Sequence, residues 1–224
     1  LIPFFLYYIS VENIRKKWIV PESNSRVAKY LNDIKKEMIS EESKKKNLKV
    51  VVGLQRHYQK SYLETYKKVI DEGAIGDIVA ARCYWNNDGV WVNKRKYGQT
   101  EMEYQMRNWY YFVWLCGDHI TEQHIHNLDV INWFKGGYPV KAQGFGGRQV
   151  RKSKEHGEIF DHHYVEYHYA DGSILNSQCR HMPGTMSRVD ELLIGTKGRI
   201  ACGAAHIKDH SGKIIYQYDT KKEN

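Results

Sequence analysis

The chain has 224 residues, 42% hydrophobic and 27% charged, the ordinary balance of a globular protein with one large domain, or a large domain and a small companion. Its formal net charge of +8 sits largely in solvated runs such as Lys44-Lys45-Lys46, Arg148 to Lys154 and Lys221-Lys222. No element gathers basic residues with stacking aromatics, which argues against a nucleic-acid surface.

The first nine residues, LIPFFLYYI, are apolar but too short to span a bilayer. They have neither the basic lead nor the cleavage site of an export signal, so no membrane role is expected and the compartment stays open. The chain begins with Leu, and it is read as a piece of a longer protein. Residues 1–24 fit no pattern. Val27, Tyr30, Leu31, Ile34 and Met38 recur at helical spacing, and a helix is expected to end at the Lys44–Lys46 run. LKVVVGLQ, 48–55, reads as a strand buried on both faces, as in a parallel sheet.

Ser61 and Glu64 have the spacing of a capping box, predicting a helix from there to Gly73 and Gly76. DIVAARCYWNN reads as a strand, and 87–106 as a long irregular loop. A helix is expected over 117–134, ending at Gly136-Gly137. PVKAQGFGGRQV reads as a strand with bulge or bend glycines. HYVEYHYADGSILNSQCRH reads as a hairpin, RVDELLIGTKGRIACG as two strands about a turn, and KIIYQYD as a last strand. His206 and His210 are expected in solvated loops. With Asp171-Gly172 as a two-residue loop, Tyr167 pairs with Asn176 and Val165 with Gln178. Neither hairpin face is then cleanly apolar, so both should be covered, one by helices and the other by a partner or ligand. Cys83, Cys116, Cys179 and Cys202 lack metal-ligand spacing and are expected as buried small hydrophobes.

GDHITEQHIHNLDVINW, 117–133, holds His119, Glu122, His124 and His126 within eight residues. On a helix, Glu122 and His126 share a face. A carboxylate at that spacing can fix an imidazole tautomer and tune it for proton transfer. A solvated helix start and a metal site through His119, Glu122 and His126 are the other readings of these residues; no dedicated further ligand supports the metal.

From about Leu48 to Gly203 the chain resembles the glucose–fructose oxidoreductase / inositol dehydrogenase / rhizopine catabolism (Gfo/Idh/MocA) family. The resemblance rests on Gly117, Glu122-x-x-x-His126, Asp129 and Trp133, with Trp109 in RNWYY before them, and on VGLQRHY, SYLETYKKVIDEGAIGDI and GTKGRI in order. It implies an α+β fold: a large, open, mainly antiparallel sheet with helices on one face, preceded by the last helix and strand of a truncated Rossmann domain. Residues 25–56 would be the dinucleotide-domain remnant and 57–224 a substrate-binding and oligomerisation domain, cut short at its C-terminus. The implied activity is NAD(P)-dependent oxidation or reduction of a sugar or polyol. A related NAD-dependent glycoside hydrolase and a non-catalytic ligand-binding domain are the alternatives.

By this resemblance His126 is the acid/base, and Glu122 stands where the family usually has Asp. Arg56, His57, Arg107, Trp109, Tyr110, His124, Arg180 and His181 are the expected substrate contacts, and Gln55, Arg56 and Trp109 the expected cofactor contacts. No metal is expected. The family's G-x-G-x-x-G fingerprint is absent, as is the Glu-Lys-Pro that should precede the 26–46 helix, so most of the NAD or NADP site should lie outside this chain. The expected partners are a carbohydrate-like small molecule and further copies of the protein.

Overall fold

The computed structural model describes residues 41, 43–49 and 53–219. The expected helix positions Val27 to Met38 and the Val50–Val52 run lie outside them. Helix is present at 43–45 and turns at Lys46-Asn47. Asn47 takes a left-handed φ of 49°, and the Leu48 N–H closes on the Ser43 carbonyl at 2.8 Å. Leu48, Lys49, Gly53 and Leu54 are not strand, and Gln55–Tyr58 forms a 3-10 turn. Gln55, expected at a strand end, is therefore an exposed turn residue.

The chain divides into two compact units, one holding the described residues up to Gly53 together with 92–122 and 153–159, the other 54–91, 123–152 and 160–219. The larger unit is built on an eight-stranded sheet in the order β2-β3-β4-β1-β5-β6-β7-β8. The strands are β1 Ile78–Asn87, β2 Lys141–Gly147, β3 His162–His168, β4 Ile174–His181, β5 Arg188–Gly195, β6 Gly198–Ala201, β7 His206–Asp209 and β8 Ile214–Gln217. Only the β1–β4 pairing is parallel; the other pairings are antiparallel. This is the open, mainly antiparallel sheet that the sequence implied. His206 lies on β7, not in a loop, because a four-residue strand of HIKD carries too little apolar pattern to be read from sequence.

The β3–β4 register differs by one residue from expectation. Tyr167 pairs with Leu175, Val165 with Ser177 and His163 with Cys179. The Tyr169 N–H bonds the Ser173 carbonyl at 3.0 Å, so the loop is the three residues Ala170-Asp171-Gly172, with Gly172 at φ 83°. A three-residue loop ending in a left-handed glycine is the next commonest hairpin after the two-residue type. The shift regroups the side chains: Val165, Tyr167, Leu175, Ser177 and Cys179 form a buried face, while Tyr164, Glu166, Asn176 and Gln178 form a partly exposed one. The alternation is thus sharper than the sequence register allowed.

Helix α1 (Lys60–Tyr66) runs on as a π-helical turn over Lys67–Asp71. Its N-cap is Gln59 without a side-chain cap bond, so the Ser61/Glu64 box does not form; Ser61 already lies inside the helix. Helix α5 (Ile125–Lys135) packs on β1 and β5 and ends at Gly136 in a left-handed conformation. Tyr66 of α1 stacks on Trp133 of α5 at 4.7 Å and meets Phe134 edge-on at 5.2 Å. Cys83, Leu175, Leu193, Ile200 and Ile207 fill the helix-covered face of the sheet.

The smaller unit contains α2 (Glu101–Arg107), α3 (Val113–Cys116) and α4 (His119–Glu122). Residues 101–106, expected to be irregular as part of 87–106, are helical because Thr100 and Glu103 form a full capping box. The segment 153–159 joins this unit: the Asn108 amide donates to the Glu155 carbonyl at 2.6 Å, and the Glu158 N–H donates to the Tyr111 carbonyl at 3.0 Å. All four cysteines are free and buried, as expected.

Candidate functional site

The 117–134 motif does not form one helix. Gly117 and Asp118 both take left-handed φ values, 74° and 75°, and Gln123-His124 form a turn between α4 and α5. Asp118 tolerates that conformation because its carboxylate accepts the His119 N–H at 2.6 Å and meets His119 Nδ1 at 2.9 Å. Glu122 and His126 therefore sit on different helices and fall in different compact units. The one-turn geometry expected for His119, Glu122 and His126 does not hold.

His126, in the first turn of α5, is half-buried and stacks with Trp85 of β1 at 6.0 Å. Burial, then the Arg56 guanidinium, push its pKa below the ordinary histidine value, while Asp129 pulls the other way. The carboxylate acting on His126 is thus Asp129, one turn along α5, and not Glu122 as expected. Burial raises the Glu122 pKa, and a hydrogen bond with Tyr110 opposes the rise.

Asp129 also binds His57 Nε2 at 2.6 Å. The His57 ring stacks on Trp133 at 4.2 Å, so Trp133 lies between His57 and Tyr66. Arg56 forms an ion pair with Glu191 of β5. Tyr62 donates to Glu191 at 3.1 Å and Asn127 donates to it at 2.5 Å. Burial pushes the Glu191 pKa up to about 7, against the pull of Arg56. Arg56, His57, His126 and Asp129 are the site residues that the sheet and α5 bring together. Glu191, Asn127 and Tyr62 were missed by the sequence reading. A lone Glu in a strand of alternating pattern carries no mark of burial; only its pairing opposite Cys83 on the covered face reveals it.

Three expected contacts are placed elsewhere. His124 is wholly buried, with its Nε2 at 2.7 Å from the Ser177 hydroxyl and 3.6 Å from Cys83 Sγ, so it is a core histidine rather than a substrate contact. His181 is also buried: its Nδ1 accepts from Arg151 at 2.6 Å, and its Nε2 faces Gln123 Oε1 at 3.0 Å. Arg180 points to the opposite face of the sheet by the strand pleat and donates to the Met186 carbonyl. Behind His181 lies a second group that sequence did not show. Buried Asp161 accepts the N–H groups of Gln149, Val150 and Arg151 at 2.6, 2.6 and 2.9 Å, and His162 Nδ1 at 2.7 Å. In the smaller unit, Arg107 is exposed, Trp109 half-buried and Tyr110 buried, the last two in edge contact at 5.6 Å.

For a dinucleotide, the pyrophosphate needs a glycine-rich turn leading from a strand into a helix. Among the described residues there is none: the Gly144–Gly147 stretch lies within strand β2. The described residues do not fit that group.

An open, mainly antiparallel sheet with α1 and α5 packed on one face is the architecture of the C-terminal domain of one protein family. A family model, the GFO/IDH/MocA C-terminal domain, matches residues 63–201, and the chain belongs to that family. It is 31% identical over 107 residues to inositol 2-dehydrogenase of Gluconacetobacter diazotrophicus, covering 48% of this chain and 26% of that protein. Its fold is shared with a super-repressor mutant of Gal80p from Saccharomyces cerevisiae: TM-score 0.59, 15% identity, 82% of this chain and 50% of that one. It is shared too with levoglucosan dehydrogenase in complex with NADH and levoglucosan: TM-score 0.55, 16% identity, 75% of this chain and 45% of that one. The chain thus spans about a quarter of that curated relative and about half of these solved structures.

Proposed function

We propose that this chain carries the substrate domain of an NAD(P)-dependent oxidoreductase that acts on a sugar or polyol. In this reading residues 57–224 form the substrate-binding and oligomerisation domain, and 25–56 close a dinucleotide-binding domain. The observation that carries it is His126: an imidazole at the head of α5, half-buried, with Arg56 and Asp129 acting on its charge in opposite senses. Its lowered pKa keeps it neutral at pH 7, so it can accept the proton of a substrate hydroxyl without first losing one of its own. Asp129 and the stacked His57–Trp133 pair hold the first turns of α5, and Arg56 offers guanidinium N–H donors to hydroxyl oxygens. Inositol and levoglucosan, named in two of the similar proteins, are polyhydroxylated rings, and that is the substrate class expected here.

The test is turnover by the intact protein with inositols and aldoses, with NAD or NADP, followed by nicotinamide absorbance. Reduction of the nicotinamide with a polyol supports the reading. Glycoside cleavage without net reduction would assign the hydrolytic relative's chemistry instead. Neither reaction with any member of the panel would refute both.

A further inference from the structure

Glu191 is completely buried in the middle of β5, and the proton transfer above does not use it. Three donors from three segments converge on its carboxyl group: the Arg56 guanidinium from the 3-10 turn, the Tyr62 hydroxyl from α1 and the Asn127 amide from α5. Arg56 also lies over the Tyr62 ring, 5.7 Å from its centroid. A buried carboxyl group is costly unless its oxygens are satisfied; here a cation and two neutral donors satisfy them. The next residue, His57, bonds Asp129 and stacks on Trp133. Successive residues of one short turn are therefore pinned, Arg56 to the sheet and His57 to α5. Asn127 directly follows His126, so Glu191 grips both the cation that acts on His126 and the helical turn that carries it.

We infer that Glu191 is a positioning residue for His126: by holding Arg56 and Asn127 it sets both the place of the imidazole and the positive charge that the imidazole meets. Glu191 touches no reacting atom. The inference rests on the reading of His126 as the acid/base. Around Glu191 the charged or titratable groups are Arg56, Tyr62, Cys83, Asp190 and Cys202; around His126 they are Arg56 and Asp129. The signs follow from Coulomb's law. Arg56 disfavours protonation of His126, and an ionised Glu191 offsets Arg56. Loss of the glutamate charge leaves the guanidinium uncompensated and lowers the proton affinity of His126; loss of the guanidinium raises it.

The test is an NMR titration of the His126 ring C–H in the intact protein, assigned by its absence in His126→Gln. Glu191→Gln fixes this side chain in its neutral form and should abolish the second inflection that the ionisation of Glu191 gives the His126 resonance near 7, while Arg56→Met should shift the His126 midpoint up by about half a unit to one unit. Loss of the inflection in the one and the upward shift in the other support the inference, since a purely structural role produces neither. An inflection that survives Glu191→Gln, or an unmoved midpoint in Arg56→Met, overturns it. If Glu191→Gln does not fold, the unaltered protein decides. Its His126 resonance should carry a second inflection near the Glu191 value of about 7, and a single smooth titration would overturn the inference. Turnover of His126→Ala reads the catalytic proposal separately, so either idea can fail alone.

Discussion

Substituting His126 by alanine removes an imidazole that the structure places half in solvent and half against Trp85. The folding cost is bounded by that environment. A ring stack contributes about 0.5–1.5 kcal/mol, and the half-exposed side chain leaves little cavity, because Val130, Ile131 and Phe134 hold α5 in the core without it. The expected destabilisation is about 1–2 kcal/mol, within the range of an ordinary point substitution. Loss of a general acid/base costs about 10²–10⁴-fold in rate, or roughly 3–5 kcal/mol of transition-state stabilisation. The rate effect should therefore exceed the stability effect severalfold. Steady-state turnover of the intact protein on its polyol, beside urea unfolding of the same preparation, measures both. In the unsubstituted protein, oxidation should rise with pH through a midpoint below the ordinary histidine value of 6.5, since burial and Arg56 both favour the neutral ring. His126→Ala should lack that limb. Near-normal turnover in the variant, or unfolding by 4 kcal/mol or more, would refute the reasoning: the first makes the imidazole dispensable, the second makes it a core residue.

Asp161→Ala should destabilise by about 2–4 kcal/mol in chemical denaturation, because it strands three backbone N–H donors of the 149–151 loop. Burial alone would raise the Asp161 pKa, but the hydrogen bonds from Arg151, His162, Val150 and Gln149 outweigh it and leave the value lowered. Its stabilisation is therefore complete above the unfolded value of 3.8 and lost as pH falls through the lower folded value; a variant as stable as the parent at neutral pH would contradict this. Gly195→Ala should cost about 1–3 kcal/mol by thermal or urea unfolding, since a Cβ there would stand 2.2 Å from the carbonyl oxygen of buried Ile75; an unchanged midpoint would show that the 73–77 turn yields freely. The intact protein is expected to self-associate through the sheet face that carries Tyr84, Tyr164, Gln178 and Leu192, and sedimentation at rising concentration as an unchanging monomer would count against it.

Period-2 patterns and turn residues marked seven of the eight strands in the sequence, and the motif order from VGLQRHY to GTKGRI marked the family, because both are local signals that survive without a structure. The helix after Glu122 was equally legible, with its end at Gly136. What sequence spacing could not supply was the break at Gly117-Asp118. Two successive left-handed residues cost little when one is glycine and the other bonds its own neighbour; they start a new helix at His119, and the turn at Gln123-His124 then puts Glu122 and His126 on different helices, where a continuous helix would have paired them. Nor could it supply the one-residue hairpin register, which turns on whether Ala170 belongs to the loop and which decides the face of every side chain on β3 against β4. The partners of His126 were decided by tertiary structure alone. Asp129 lies only three residues on, but Arg56 is 70 positions earlier in the chain and is held by Glu191, 135 positions beyond Arg56. Contacts at such separations depend on which strand lies beside which, and the crossing that sets β1 between β4 and β5 leaves no trace in local pattern.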